Sequence, residues 1–160
     1  MTNFTVKSNI IKDGETMPNS TVHNAIGGEN ISPDVTWENA PENTKSFVVT
    51  IYDPDAPTIS GWWHWGVYNI PADCNSIPEG KLPEGGAGNF SEIITDYGST
   101  GYGGCYPPEG DKPHRYILTV YAMAVDNFEL QPEQTTGAML MFNMQGSILA
   151  EASVTGLFGR

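Results

Sequence analysis

Runs of β-branched and aromatic residues predict three strong strands along this chain. The first covers 46–52, is apolar throughout and ends at the turn signal Asp53-Pro54. The second covers 64–70 and stops at a proline. The third covers 115–125 and is almost continuously apolar, which is typical of a central strand buried on both faces. Shorter patterns at 5–11 and 35–37 indicate two weaker strands.

One segment near the C-terminus has helical periodicity instead. Residues 136–152 carry apolar side chains at helical spacing, Thr135 or Thr136 can cap the first turn, and Gly156 and Gly159 lie beyond the expected end. Glycine and proline punctuate 77–113, which indicates a long excursion of turns and loops. Strands dominate, so we predict an antiparallel β-sandwich with a few short helices, one of them near the C-terminus. Residues 1–160 are expected to form a single domain.

The net charge of −12 narrows the range of partners. The seven lysines and arginines are scattered along the chain, which argues against nucleic-acid binding and against an anionic membrane surface. No apolar run approaches the length of a membrane span, so stable membrane insertion is not expected. The chain starts without a signal-peptide pattern and has only two cysteines, which favours a cytoplasmic protein. A small anion in a local pocket remains compatible with the overall charge.

Three titratable residues lie at the ends of the strong strands. Asp53 follows the first strand, His64 opens the second and His114 precedes the third. If these strands are neighbours, the three side chains meet at one rim of a sheet. Two protonated imidazoles could both donate to one anion, with Asp53 orienting one of them. Backbone amides of the glycine-rich run 98–104 could add an anion-binding nest.

These residues fall into ordered motifs that resemble a known family. The motifs are Asp53-Pro-Asp-Ala-Pro57, His64-Trp65, Gly101-Tyr-Gly-Gly, Pro107-Pro108 and His114-Arg-Tyr116. Together they resemble the phosphatidylethanolamine-binding protein family, in particular its bacterial Raf-kinase-inhibitor-like branch. The resemblance implies a β-sandwich with a shallow pocket for phosphate-like or other small anions. The ligand-binding residues that it implies are Asp53, His64, Trp65, Tyr106, Pro107, His114 and Tyr116, with Asp55 supporting the wall.

The chain departs from the family pattern at two places. Cys105 stands where the family usually has proline, so the path of this loop is open. Gln145-Gly146 stands where the late helix often has a histidine-containing segment, so a contribution of that helix to the pocket is open as well.

Two hypotheses about function remain compatible with the sequence. The first is a module that binds a phosphate- or carboxylate-bearing ligand and regulates a protein partner such as a kinase or protease, as the resemblance implies. The alternative is a weak hydrolase or isomerase in which Asp53 orients His64 or His114 as general base, although no convincing nucleophile accompanies them. No cofactor or metal is expected, because the histidines lack a close ligand spacing. A homodimer is plausible in this branch.

Overall fold

Two antiparallel sheets form the framework. The computed structural model describes residues 3–83 and 90–160. In chain order the strands are β1 (Thr5–Lys7), β2 (Val35–Glu38), β3 (Ser46–Asp53), β4 (Trp62–Pro71), β5 (Ser76–Ile77), β6 (Ser91–Glu92), β7 (His114–Met123) and β8 (Ile148–Phe158). The smaller sheet has the order β1-β2-β5, and the larger has the order β6-β4-β3-β7-β8. The predicted sandwich is therefore confirmed.

Strand β3 lies at the centre of the larger sheet and is buried almost along its whole length. Phe47, Val49 and Ile51 alternate onto the face that packs against the smaller sheet, where they join Val35 and Trp37 in the main core. This explains why the sequence of β3 reads as an apolar run: both of its faces are covered. The opposite face packs against a helix.

That helix, α1 (Gly137–Met144), is much shorter than the predicted one. Thr136 caps it by accepting a hydrogen bond from the Met139 amide, as expected for a helix start. Leu140 and Met144 then pack into a second apolar cluster with Val48 on the outer face of β3. The remaining described helical segments are 3₁₀ turns of three residues each, at 19–21, 24–26 and 132–134.

The prediction of one helix over 136–152 was wrong beyond residue 144. Gly146 has a φ of 82°, a left-handed conformation that ends the helix, and the chain then enters β8. The apolar residues Ile148, Leu149 and Ala152 fit a helical spacing equally well, but this segment pairs with β7, with Ile148 opposite Met123 and Ala152 opposite Val120. Gly156, expected beyond the helix, lies inside β8.

The other predicted elements are found with small shifts. The strong patterns at 46–52, 64–70 and 115–125 correspond to β3, β4 and β7, and the weak pattern at 35–37 corresponds to β2. Of the pattern at 5–11, only Thr5–Lys7 forms a strand. Within the described part of the chain, no helix has the length and apolarity needed to cross a membrane.

The effect of Gly146→Ala on stability distinguishes a helix that continues through this residue from one that ends before it. If the helix ran through this residue, Gly146→Ala would stabilise the fold by about 1 kcal/mol through helix propensity. Because the residue is left-handed and a Cβ there has open space around it, we expect a loss of about 1 kcal/mol instead. Urea denaturation of the variant and the wild type measures the difference, and a gain in stability would contradict the strand assignment after residue 146.

Candidate functional site

A cavity of about 370 Å³ opens where β3 ends and β4 and β7 begin. Six residues predicted from the sequence line it: Asp53, His64, Tyr106, Pro107, His114 and Tyr116. The remaining lining residues are Ala56, Pro57, Thr58, Trp62, Tyr97 and Pro108. The predicted residues, which come from three distant stretches of the chain, therefore line the same cavity.

Strand alternation and register bring Asp53 and His114 together. Asp53 follows Ile51 by two positions and His114 precedes Tyr116 by two, so both continue the inward-facing rows of their strands. β3 and β7 are antiparallel, with Tyr52 opposite Ile117, so the end of one strand lies beside the start of the other. The acid and the imidazole meet because of this pairing.

His64 reaches the same face through a β-bulge. Ile51 pairs with Trp65, whereas Tyr52 pairs with Trp63, so His64 is the additional residue on β4. A bulge re-aims the side chain of the extra residue and is common near functional sites. Regular alternation would have turned His64 away from the face that Trp65 occupies.

His114 is held by two carboxylates. Its Nδ1 donates to Asp53 Oδ2 at 2.7 Å, and its Nε2 donates to Asp111 Oδ2 at 2.9 Å. Burial lowers the pKa of His114, but the hydrogen bonds to Asp53 and Asp111 outweigh that effect, so its pKa lies above the usual 6.5. Below this raised pKa the ring is an imidazolium, and each of its two N–H groups donates to a carboxylate.

His64 is in the opposite state. Its Nδ1 lies 2.7 Å from the Gly103 carbonyl oxygen, which can only accept, so the proton resides on Nδ1. The side chain is only 3% exposed, and this burial lowers its pKa below 6.5, although the Gly103 carbonyl and the Asp53 charge partly oppose the shift. A neutral ring in this tautomer leaves the lone pair of Nε2 for the cavity.

These two arrangements correct the expected chemistry. Two imidazoles were expected to donate together to one anion, yet both nitrogens of His114 already have carboxylate partners. Asp53 orients His114, while the backbone of Gly103 orients His64. An Asp53-oriented His64 base, required by one form of the enzyme hypothesis, is therefore not formed.

Two buried donors in the cavity wall have no protein acceptor among the described residues. They are the hydroxyl of Tyr116 and the indole Nε1 of Trp62. The backbone of Tyr106 interacts with the Tyr116 hydroxyl oxygen, which leaves the hydroxyl proton without an acceptor. Burial raises the pKa of Tyr116 far above 10, so its hydroxyl keeps its proton at every ordinary pH. The neighbouring Tyr97 differs, because its hydroxyl donates to the Gly104 carbonyl at 2.7 Å.

Asp55 anchors the start of β7 through hydrogen bonds to Arg115. Its carboxylate accepts from the backbone N–H of Arg115 at 2.9 Å and from the guanidinium Nε and Nη2 of the same residue. Its own backbone N–H donates to Asp53 Oδ1 at 2.8 Å. Asp55 thus links Asp53 to the residue that follows His114, and it fixes the spacing of the acid–imidazolium pair.

Trp65 is not where it was expected. The resemblance implied that it is a ligand-binding residue, but it does not appear among the described residues that line the cavity. Instead it is 1% exposed, packs in the core between the sheets and donates its Nε1 to Glu92 at 3.0 Å. Trp62, three residues earlier, takes the place at the cavity.

The glycine-rich run does not present the expected nest at its far end. The amide of Gly103 donates to the His64 carbonyl, and the amide of Gly104 donates to Asn30 Oδ1. Cys105 then exchanges backbone hydrogen bonds with the 21–23 segment, so this loop is fixed through its backbone despite the unusual residue. Helix α1 packs on the outer face of the sheet and contributes no lining residue.

Sequence reasoning missed Asp111 as a partner of His114 and did not assign Tyr97 or Trp62 to the ligand site. Asp111 stands three residues before His114, a spacing that could have suggested a local ion pair. Trp62 stands in the aromatic run Trp62-Trp63-His64-Trp65. No pattern in the sequence distinguishes the tryptophan whose N–H remains unpartnered.

Comparison with known proteins agrees with this architecture. The family model described as phosphatidylethanolamine-binding protein matches residues 7–159. The chain belongs to this family. YbhB of Escherichia coli is 46% identical over 159 residues, covering 94% of this chain and 97% of that protein. The crystal structure of Escherichia coli YbcL, described as a member of the mammalian PEBP family, superposes with a TM-score of 0.91 at 41% identity, covering 98% of both chains.

A more distant structure shares the fold alone. A carboxypeptidase Y inhibitor, solved in complex with its cognate proteinase, superposes with a TM-score of 0.61 at 17% identity. The match covers 99% of this chain and 84% of the inhibitor.

The two-carboxylate setting of His114 predicts a specific pH dependence of stability. A histidine whose pKa is raised on folding stabilises the protein fully below its unfolded pKa, and this contribution disappears as pH rises through the folded pKa. Asp111→Asn should therefore destabilise the protein most below about pH 6.5, with the deficit shrinking at higher pH.

Denaturation of both proteins between pH 5.5 and 9 measures that deficit. Asp126→Asn, at an exposed carboxylate, is the matched control and should show no such trend. A deficit of Asp111→Asn that stays constant over this range would mean that His114 is not the group involved.

Proposed function

We propose that this protein is a binding module for a small ligand bearing a phosphate or carboxylate group. The observation that carries the proposal is the pair of unpartnered donors, Tyr116 Oη–H and Trp62 Nε1–H, in the wall of one cavity. A buried donor without an acceptor costs roughly 1–3 kcal/mol, so such groups usually indicate a missing partner. Anionic oxygens are strong acceptors for both donors.

The rest of the cavity limits what can be attached to the anionic group. Ala56, Pro57, Pro107 and Pro108 give much of the wall an apolar character. A volume of about 370 Å³ is at the lower end of the range for small-molecule sites. These features favour a compact ligand with one oxyanion end and a small apolar or weakly polar remainder.

The rim supports the further proposal that occupancy regulates a protein partner. Tyr106 lines the cavity and is also 41% exposed, so one residue belongs to both the site and the surface. Ile59, beside the lining residue Thr58, is fully exposed. Contact with a protein partner would bury these two side chains, which is favourable for their apolar surface. The carboxypeptidase Y inhibitor, solved in complex with its proteinase, is an example of protein contact by this fold. For this chain, a kinase or protease target and a homodimer stay predictions.

The hydrolase or isomerase alternative receives less support from the geometry. Thr58, the hydroxyl residue beside Pro57, donates to the Gly61 carbonyl at 2.6 Å. The Cys105 thiol is buried, and this burial raises its pKa to about 12, so it stays protonated.

We propose a cytoplasmic location for the protein. Cys105 is a buried thiol and Cys74 donates its thiol proton to the Ser76 carbonyl, and cysteines remain thiols in a reducing compartment.

Removing the Tyr116 hydroxyl tests the binding proposal. Tyr116→Phe should weaken binding of methyl phosphate at pH 6 by about 10-fold or more, because it removes one hydrogen bond to a charged acceptor. Isothermal titration calorimetry measures the affinity.

Tyr68→Phe is the matched control. Tyr68 is also fully buried with an unpartnered hydroxyl, but it lies in the outer apolar cluster beside α1. Unchanged affinity in the control together with a loss in Tyr116→Phe is the expected result. Equal affinity in all three proteins would remove the basis of the proposal.

A further inference from the structure

The cavity combines hydrogen-bond donors with an unprotonated acceptor. Tyr116 and Trp62 supply an O–H and an N–H without protein acceptors among the described residues. His64 supplies the opposite function, because its proton is committed to the Gly103 carbonyl at 2.7 Å and its Nε2 carries a lone pair. A fully deprotonated oxyanion would satisfy the donors but would place negative charge against that lone pair.

We propose that the pocket accepts a phosphate monoester as its singly protonated monoanion and discriminates against a sulfate ester of the same shape and charge. This inference rests on the proposed function and specifies its ligand. In the bound state the P–OH group donates to His64 Nε2, and the other phosphoryl oxygens accept from the Tyr116 hydroxyl and the Trp62 indole. A sulfate monoester carries the same single charge but has no proton to donate.

The ionisable groups around His64 are consistent with a neutral ring. Asp53 at the end of β3 and Asp96 in the segment after β6 act on it through their charges, while Tyr97 and Tyr116 contact the ring edge to face. The two carboxylates favour protonation of the ring, but removal from water opposes it and dominates, so the pKa of His64 is lowered. The ring therefore accepts a proton from a ligand more readily than it donates a second one.

The local charge also favours a monoanion over a dianion. Asp53 and Asp111 together carry two negative charges around the single positive charge of His114. No N–H of that imidazolium remains for a ligand, since each nitrogen donates to a carboxylate. These two carboxylates belong to a chain whose formal net charge is −12 with neutral histidines. A second negative charge on the ligand would thus be repelled without gaining a new donor.

Two small esters separate the roles of charge and proton. Methyl phosphate has a second pKa of about 6, so its monoanion fraction falls about 25-fold between pH 5.5 and 7.5. Methyl sulfate keeps one negative charge at both values. Because both probes meet the same protein charges, the ratio of their affinities isolates the contribution of the ligand proton. Titration calorimetry of the intact protein with each probe at pH 5.5, 6 and 7.5 gives this ratio.

The expected result is that methyl phosphate binds about 10-fold or more tightly than methyl sulfate at pH 6, an advantage comparable to one hydrogen bond to a charged group. The advantage should shrink about 25-fold between pH 5.5 and 7.5, in step with the monoanion fraction. Equal binding of the two esters, tighter binding of the sulfate, or a ratio that does not change with pH would overturn the inference while leaving anion binding intact. Absence of binding by both esters would overturn the proposed function itself.

Discussion

The properties of the pocket depend on which atoms hold the protons of two histidines. His114 lies between Asp53 and Asp111 and uses both ring nitrogens as donors. His64 gives its single proton to a backbone carbonyl and keeps a lone pair on Nε2. Two identical side chains, both lining one cavity, are thus placed in opposite protonation states by their hydrogen-bond partners, and this difference decides what the pocket can bind.

The fold creates this difference through strand geometry. Antiparallel pairing of β3 with β7 brings Asp53 to His114, and the hydrogen bonds from Arg115 to Asp55 hold that junction in place. A bulge on β4 turns His64 toward the same cavity. There the Gly103 carbonyl accepts a hydrogen bond from the His64 ring, and the Gly103 amide donates one to the His64 carbonyl. The cavity is built on paired strands and tied loops, which suits a site that must keep its donors and acceptors fixed.

Much of the sandwich could be predicted from the sequence, because the apolar runs of β3, β4 and β7 are long and bounded by turn residues. The extent of the C-terminal helix could not, because Ile148, Leu149 and Ala152 fit a helix and a strand equally well until pairing with β7 decides. Asp53, His64 and His114 could be placed together from their positions at strand ends. Their partners could not, since the bulge at His64 and the loop that carries Gly103 depend on tertiary contacts. Trp65 was misplaced for a related reason: residues adjacent in sequence can share a face at a bulge and still lie in different surroundings.

Long-range ¹H–¹⁵N correlation spectra of the histidine rings at pH 7 distinguish protonated from unprotonated ring nitrogens and therefore measure these two protonation states. We expect a neutral His64 with its proton on Nδ1 and an unprotonated Nε2, alongside a His114 protonated on both nitrogens. A His64 ring protonated on Nε2, or the same protonation state in both rings, would contradict this expectation.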